Sequence, residues 1–203
     1  MSLLAPERFI PRDFAFEFDT FIRHFDRYLQ CVKLLKKTGK GEKWLDCACG
    51  TGYGTNFLSN FTNFVIGYDI DINVVEYARK YYKNNHCDFV HNIANLKKEF
   101  DVAISIETIE HMTVDKAHEF LGAINSLLKD DGYLVITTPI VRETNHNPVN
   151  KHHFIEYSDT HFRKLLTSEN FIILETKFIE TTFTDGETKF QGYYMCAKEN
   201  YIP

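Results

Sequence analysis

The chain has 203 residues, of which 44% are hydrophobic and 25% are charged, and its formal net charge is −5. This length and composition fit one ordinary globular domain with a short extension. The acidic balance and the lack of a long Lys/Arg run argue against a nucleic-acid partner, because phosphate contacts dominate nucleic-acid affinity.

The cysteine pattern and the hydropathy indicate the compartment. Five cysteines are present, an odd number, and no two of them have C-x-x-C spacing. This argues against a disulfide framework or a zinc site. No apolar run approaches the roughly 18 residues that a membrane span needs, and the first residues lack the apolar core of a signal peptide. We therefore expect a cytoplasmic protein with no membrane partner.

The N-terminal part of the chain predicts an arm followed by a helix. Residues 1–17 contain two prolines and show no clear period. Apolar side chains recur at helical spacing over residues 18–37, and Gly39 and Gly41 end this pattern. We assign residues 1–40 to an arm and a helix, and residues 41–203 to the main domain.

Short apolar strands then alternate with helices. We predict strands at 43–47, 64–68, 87–90, 101–106 and 133–137, helices at 55–60, 73–82 and 116–128, and a turn at 130–132. Such alternation implies a parallel sheet that is covered by helices on both faces, with right-handed crossovers.

The C-terminal part of the chain has a different pattern. A predicted helix at 159–166 precedes two strand-like segments, 171–178 and 192–197, with a polar connection at 181–190. Two strands joined without a helix should pair antiparallel. We therefore predict a Rossmann-like, doubly wound α/β fold with three αβα layers. Its seven-stranded sheet is mostly parallel and ends in an antiparallel C-terminal pair.

A glycine-rich turn follows the first predicted strand. The segment 45–54 (LDCACGTGYG) runs from this strand through the turn into a helix. Small residues let the backbone approach a ligand closely, and we expect Gly50 and Gly52 to have this role. Ala48 stands where a first glycine is usual.

Two acidic residues flank this turn. Asp46 lies on the entering strand, where a carboxylate disfavours a pyrophosphate but suits an ammonium group. Asp69 ends the second strand, where a carboxylate can accept hydrogen bonds from ribose hydroxyls. The alternative is a glycine-rich loop with two helix-capping aspartates.

Four segments together resemble the class I S-adenosylmethionine-dependent methyltransferases: WLDCACGTGYG, VIGYDID, FDVAISIETIEHM and LLKDDGYLVITTP. The resemblance implies that Asp46 and Gly50 hold the methionine end of the cofactor and that Asp69 binds the ribose. It also implies that Asn92, with Ile93 beside it, lies near the adenine. The cofactor-binding residues that we predict are Tyr28, Asp46, Ala48, Gly50, Gly52, Asp69, Ile70, Asn92, Ile93 and Glu107.

The N-terminal segments ERFIP and HFDRY resemble the lead-in of methyltransferases that accompany sugar and polysaccharide biosynthesis. By this resemblance the first helix covers the cofactor, and Tyr28 or Arg8 lies near the methionine carboxylate.

A polar constellation follows the fourth and fifth predicted strands. Glu107, Glu110 and His111 are spaced so that one helical turn would place them on one face, and such a set can hold a divalent metal. The long connection after the fifth strand carries further candidates, and such loops commonly carry function. These candidates are His146, His152, His153 and Glu156.

The pattern E-x-x-E-H with a distal H-x-x-E resembles two groups of O-methyltransferases. One group modifies the 3′-terminal 2′-hydroxyl of small RNAs, and the other belongs to the ubiquinone pathway. Carried over residue by residue, the resemblance implies a Mg²⁺ or Mn²⁺ site at Glu107, Glu110, His111 and His153 that lowers the pKa of an acceptor hydroxyl. In the alternative without metal, Glu107 lines the cofactor pocket, His111 orients its neighbours, and His153 is a general base or a structural group.

We predict an S-adenosylmethionine-dependent methyltransferase that acts on an oxygen of a small-molecule acceptor, such as a sugar or another hydroxyl-bearing metabolite. The predicted catalytic residues are His153, His111 and Glu107. Three alternatives stay open: a nicotinamide oxidoreductase, a non-catalytic cofactor-binding protein and an RNA 2′-O-methyltransferase. Asp46 argues against the first, the intact Glu107/Glu110/His111 set against the second, and the net charge against the third.

Overall fold

The computed structural model describes residues 18–146, 148–182 and 188–199, so the predicted arm at 1–17, with Arg8, lies outside the described residues. The chain forms two compact units, Met1–Ile104 and Ser105–Pro203. The predicted boundary near residue 40 stays a prediction. Within the described part of the chain, none of the helices has the length and apolar character needed to cross a membrane.

The described part of the first unit contains three α-helices and the strands that carry the glycine-rich turn. The helices are α1 (Phe18–Leu35), α2 (Tyr53–Leu58) and α3 (Ile72–Tyr82). The strands are β1 (Lys43–Cys47), β2 (Phe64–Tyr68), β3 (Cys87–Val90) and the first residues of β4 (Phe100–Ile106). Their order is β3-β2-β1-β4, and β2 pairs in parallel with both β1 and β3.

Burial explains why these strands form. Every residue of β1 after Lys43 is buried, and all seven residues of β4 are buried. Strands of a parallel sheet have both faces covered, so they are mostly apolar along their length rather than alternating. Helix α1 instead buries one stripe that includes Tyr28, Cys31 and Leu35, and a left-handed Gly39 ends the short helical turn after it.

The second unit holds the antiparallel part of the sheet. Its helices are α4 (Val114–Leu127) and α5 (Asp159–Ser168), and its strands are β5 (Leu128–Val141), β6 (Tyr157–Ser158), β7 (Phe171–Thr182) and β8 (Thr188–Lys198). Strand β8 lies between β5 and β7 and pairs antiparallel with both. The two-residue strand β6 pairs in parallel with the end of β5.

The predicted fold class is confirmed, because the sheet is mostly parallel and ends in an antiparallel C-terminal pair. Strands β1, β2 and β3 have the predicted bounds. The turn expected at 130–132 is wrong, since β5 already begins at the buried Leu128. The polar connection is also shorter than expected, because threonines extend the strands until Thr182 faces Thr188. Threonine is β-branched and favours strands although it is polar.

Candidate functional site

The glycine-rich turn of the first unit has a backbone that few side chains tolerate. Ala48, Gly50 and Gly52 have φ angles of 61°, 56° and 88°. A left-handed conformation costs a non-glycine residue about 1–2 kcal/mol, so Ala48 holds local strain. A Cβ at Gly50 would meet nothing within 4 Å, whereas one at Gly52 would lie 2.6 Å from the Ala78 Cβ. Gly50 therefore leaves room for a ligand, and Gly52 lets the turn pack on α3.

Asp69 is buried and connects the end of β2 to this turn. Its Oδ2 accepts a hydrogen bond from the Gly50 amide at 3.0 Å, and its Oδ1 accepts one from the Asp71 amide at 3.1 Å. A carboxylate has about four acceptor positions, and ribose hydroxyls are the donors that the resemblance predicts for Asp69. The next residue, Ile70, is 81% exposed, so its apolar side chain is accessible to a ligand.

Asp46 is the buried acid on β1, just before the glycine-rich turn. It is 1% exposed, and its Oδ2 accepts hydrogen bonds from the Thr55 hydroxyl at 2.7 Å and the Tyr28 hydroxyl at 3.4 Å. Its Oδ1 has no hydrogen-bond partner among the described residues. Burial, with a smaller contribution from Asp69, raises the pKa of Asp46 to about 7. A buried oxygen without a partner fits a cationic group such as the α-ammonium of S-adenosylmethionine.

Tyr28 brings α1 to this turn. It is 5% exposed, and a Cβ at Gly54 would overlap its ring. Burial raises the pKa of its hydroxyl well above the usual value, so the hydroxyl stays a donor to Asp46. The structure thus places Tyr28 against the turn, where it positions Asp46. A contact with the methionine carboxylate stays a prediction.

Asn92 and Ile93 follow β3, as the adenine assignment requires. Asn92 is exposed, and its side-chain oxygen accepts a hydrogen bond from the Ala94 amide at 3.0 Å. This bond caps the short helical turn Ile93–Asn95. The side-chain NH₂ group remains as the natural donor toward a ring nitrogen.

In the second unit, Glu107 ends β4 with an unusual backbone. Its φ is 49°, in the left-handed region, where a non-glycine residue is uncommon and often functional. The Glu107 Oε1 accepts hydrogen bonds from the Thr137 hydroxyl at 3.0 Å and from the Gln191 side-chain amide. Two side chains from neighbouring strands therefore orient this carboxylate.

This backbone corrects one step of the sequence argument. Only Ile109–His111 forms a helical turn, a short 3₁₀ turn, and Thr108 before it has a φ of −131°. Glu107 therefore lies outside the turn and shares no helix face with Glu110 and His111. The helical spacing that motivated the three-residue set does not apply to Glu107.

Three of the four predicted metal ligands nevertheless come together. One ligand atom from each of Glu110, His111 and His153 lies within 4.8 Å of the other two, and Glu107 is not in this group. Glu110 is fully buried, and its Oε2 accepts a hydrogen bond from the Thr138 hydroxyl at 3.0 Å. Its backbone carbonyl accepts a hydrogen bond from the Phe154 amide at 2.8 Å, which anchors the histidine-bearing loop.

The two histidines of this group have defined ring orientations. The His111 Nδ1 lies 2.8 Å from the His152 carbonyl oxygen, and the His153 Nδ1 lies 2.8 Å from the Glu156 Oε1. Their ring centroids are 4.9 Å apart in an edge-to-face arrangement. A carbonyl and a carboxylate only accept, so each Nδ1 donates its proton. We therefore assign to each neutral ring an Nε2 that can accept a proton or bind a metal.

The sequence analysis missed the residues that orient the carboxylates of Glu107 and Glu110. Thr137, Thr138 and Gln191 bond the two glutamates. Gln191 had no local signal, because it reaches Glu107 through its antiparallel register opposite Pro139 on β5. His146, by contrast, is not part of the described metal-ligating group.

Comparison with known proteins identifies the class. A family model described as a methyltransferase domain matches residues 22–176. The chain therefore belongs to the methyltransferase domain family, and its fold is that of the class I S-adenosylmethionine-dependent methyltransferases.

Among the relatives is a ubiquinone biosynthesis O-methyltransferase from Glaesserella parasuis serovar 5, 31% identical over 110 residues, which cover 48% of this chain and 45% of that protein. A methyltransferase structure from Leishmania major has a TM-score of 0.71 at 15% identity, over 85% of this chain and 72% of that one. Magnesium protoporphyrin IX methyltransferase from Synechocystis, with bound S-adenosylmethionine, has a TM-score of 0.67 at 20% identity, over 87% of this chain and 80% of that one. The chain spans about half the length of the curated relatives that it matches.

Proposed function

We propose that the protein transfers a methyl group from S-adenosylmethionine to a hydroxyl oxygen of a small molecule. The observation that carries this proposal is the pair His153 and Glu156, in which a carboxylate holds one ring nitrogen at 2.8 Å. This arrangement makes the other ring nitrogen a base, which an oxygen acceptor needs because its hydroxyl proton must be removed.

The first unit supplies the groups that would hold the cofactor. Asp46 complements the α-ammonium group, Gly50 leaves space for the ligand at the turn, and Asp69 accepts hydrogen bonds from the ribose. Ile70, Ile93 and Asn92 would contact the adenine, and the predicted role of Glu107 at the cofactor remains part of the proposal. When bound, S-adenosylmethionine supplies an electrophilic methyl group on a sulfonium sulfur.

In the second unit, His153 would act on the acceptor. Its Nε2 would take the proton of the acceptor hydroxyl as the oxygen accepts the electrophilic methyl group that S-adenosylmethionine supplies, with S-adenosylhomocysteine as the other product. Glu156 fixes the tautomer of the ring and stabilises the imidazolium that forms, as a carboxylate does in other histidine–carboxylate pairs. Orientation of the acceptor and proton removal are thus the contributions of this chain.

A second candidate mechanism uses a divalent cation, bound by a group of residues that includes His153. Glu110, His111 and His153 bring one carboxylate and two imidazoles within 4.8 Å, and the other nitrogen of each histidine bonds an acceptor, as metal-binding histidines usually do. Mg²⁺ or Mn²⁺ held there would lower the pKa of the acceptor hydroxyl. His153 cannot ligate a cation and act as a base through the same nitrogen, so the two candidates are distinct.

One curated relative supports an oxygen acceptor, because it is named for O-methylation in ubiquinone biosynthesis. We propose a sugar or another hydroxyl-bearing metabolite as the acceptor. The five buried cysteines agree with a reducing, cytoplasmic setting.

The test combines binding and turnover. We expect S-adenosylhomocysteine to raise the unfolding temperature, and we expect His153→Ala to keep this shift while losing methyl transfer to a panel of sugars and catechols. His118→Ala is the control, because His118 pairs with Glu169 instead. Equal loss of binding and turnover in His153→Ala would contradict the role of His153. If Mn²⁺ increases the rise in unfolding temperature that S-adenosylhomocysteine causes, and Glu110→Ala removes this increase, the result would favour the metal candidate.

A further inference from the structure

The carboxyl group of Asp46 is buried without a counter-cation among its hydrogen-bond partners. Both donors to its Oδ2, the hydroxyls of Thr55 and Tyr28, are neutral. Its Oδ1 has no partner among the described residues. Transfer of an isolated carboxylate out of water is unfavourable by several kcal/mol, and such a group usually takes up a proton instead.

The titratable groups around Asp46 do not supply the missing positive charge. Asp69, beyond β2, is a second acid and acts to raise the pKa of Asp46. The positive side chain of Arg27 acts on Tyr53, and it is not among the groups that shift Asp46. The titratable side chains that interact electrostatically with Asp46 are Tyr28 from α1, Cys47 from β1, Tyr53 from α2 and Asp69 from the end of β2.

A bound cation would shift the protonation equilibrium of Asp46 toward the ionised form. An opposite charge within about 4–6 Å favours the ionised form of a carboxyl group. The amino-acid end of S-adenosylmethionine carries an α-ammonium group, which is the cation that the proposed function brings to Asp46. The pKa of about 7 that burial gives to Asp46 lies where this change in protonation would occur near neutral pH.

We propose that cofactor binding is coupled to the loss of one proton from Asp46. In the ligand-free protein below neutral pH, Asp46 is a neutral acid. On binding, its O–H bond breaks, the proton goes to the buffer, and the carboxylate pairs with the α-ammonium group. This inference rests on the cofactor of the proposed function but not on the acceptor or on His153.

Calorimetry of S-adenosylhomocysteine binding to the full chain tests this coupling. Below about pH 7 the affinity should fall by up to about tenfold for each pH unit, because one proton must be released. At acidic pH the measured enthalpy should differ between phosphate and Tris by their difference in ionisation enthalpy. Above about pH 8 both effects should vanish, because Asp46 is already ionised.

Two controls isolate Asp46. The probe 5′-methylthioadenosine has the nucleoside and the sulfur but no amino-acid end, so its affinity should not change with pH. Asp46→Asn keeps the shape of the side chain without the titration, so its affinity for S-adenosylhomocysteine should be weak and independent of pH. Binding of 5′-methylthioadenosine by this variant shows that the fold and the nucleoside site persist.

Two results would overturn the coupling: an affinity of the wild type that is constant with pH and shows equal enthalpies in both buffers, or an unchanged pH dependence in Asp46→Asn. If Asp46→Asn does not fold, the comparison of the two ligands on the wild type decides alone. Proton-coupled binding without methyl transfer to any hydroxyl acceptor would contradict the proposed function and leave the coupling intact.

Discussion

The carboxylate of Asp69 accepts a hydrogen bond from the backbone amide of Gly50 at 3.0 Å. The acid that ends β2 therefore holds the glycine-rich turn that follows β1, and the same side chain is the predicted partner of the ribose. A single residue thus links the shape of the turn to the predicted recognition of the cofactor.

This link predicts a large effect of Asp69→Ala on binding. Hydrogen bonds to charged groups contribute about 1.5–3 kcal/mol, so loss of the ribose contact alone should weaken S-adenosylhomocysteine binding about 10–100-fold. The matched control is Asp71→Ala, which removes the side-chain cap at the start of α3. Asp71→Ala should cost about 1 kcal/mol of unfolding free energy with unchanged affinity. Calorimetry and denaturant unfolding measure both values, and equal affinities for the two variants would contradict the role of Asp69.

Gly50 and Gly39 form a second matched pair. Both have positive φ angles, and a Cβ at either residue would meet nothing within 4 Å. Replacement by alanine should therefore destabilise the protein by a similar amount, about 1–2 kcal/mol. Only Gly50→Ala should block the ligand and lower the affinity for S-adenosylhomocysteine at least tenfold, as measured by titration. A similar loss of affinity in Gly39→Ala would show that strain rather than space is responsible.

The buried Asp46 predicts how the stability of the ligand-free protein changes with pH. Its folded-state pKa is raised from 3.8 to about 7, so between these values the folded chain holds a proton that the unfolded chain has lost. The free energy of unfolding should therefore fall as pH rises through this range. Asp46→Asn should remove the part of this decrease in unfolding free energy that is due to Asp46. At about pH 8 the variant should be more stable than the wild type by about 2–4 kcal/mol. Parallel pH profiles of the two proteins in denaturant unfolding would contradict this.

Lys198 closes the end of α4. Its side chain is mostly buried, and its Nζ donates hydrogen bonds to the carbonyl oxygens of Asn125 at 2.8 Å and Leu128 at 3.2 Å. Lys198→Met keeps the packing but leaves these carbonyls without the ammonium, so we expect a loss of about 2–3 kcal/mol in unfolding free energy.

Lys116 is the control for Lys198, because its ion pair with Glu119 joins two side chains that are each 65% exposed. Lys116→Met should cost less than about 0.5 kcal/mol. Equal losses for the two variants in chemical denaturation would show that the contacts of Lys198 add little.

The parallel half of the fold was predictable because its signals are local. Strands β1, β2 and β3 are short apolar runs between polar or glycine residues, and their observed bounds match the predicted ones. The antiparallel pairing of β7 and β8 was predictable, but the length of these strands was not. Its last strand residues are threonines, whose polarity resembles that of a connection while their branched Cβ favours a strand.

The candidate site was predictable only in part. Asp46, Asp69 and the glycines lie next to recognisable strands and occupy the expected positions. The backbone of Glu107 was not predictable, because its left-handed φ accompanies contacts with Thr137 and Gln191. Gln191 is 84 residues away in sequence, and the partner of a residue at such a separation depends on strand register, which no local pattern encodes.

The burial of all five cysteines has a consequence for kinetic measurements. A thiol-modifying reagent reacts with a buried cysteine only when the surrounding structure opens, so its rate measures local opening. Cys49 lies in the glycine-rich turn, where its amide donates to the Tyr68 carbonyl at 2.8 Å, and Cys196 lies in β8 of the second unit. The modification rates of these two cysteines therefore report local opening in the two units separately. A bound cofactor should slow modification of Cys49 far more than that of Cys196.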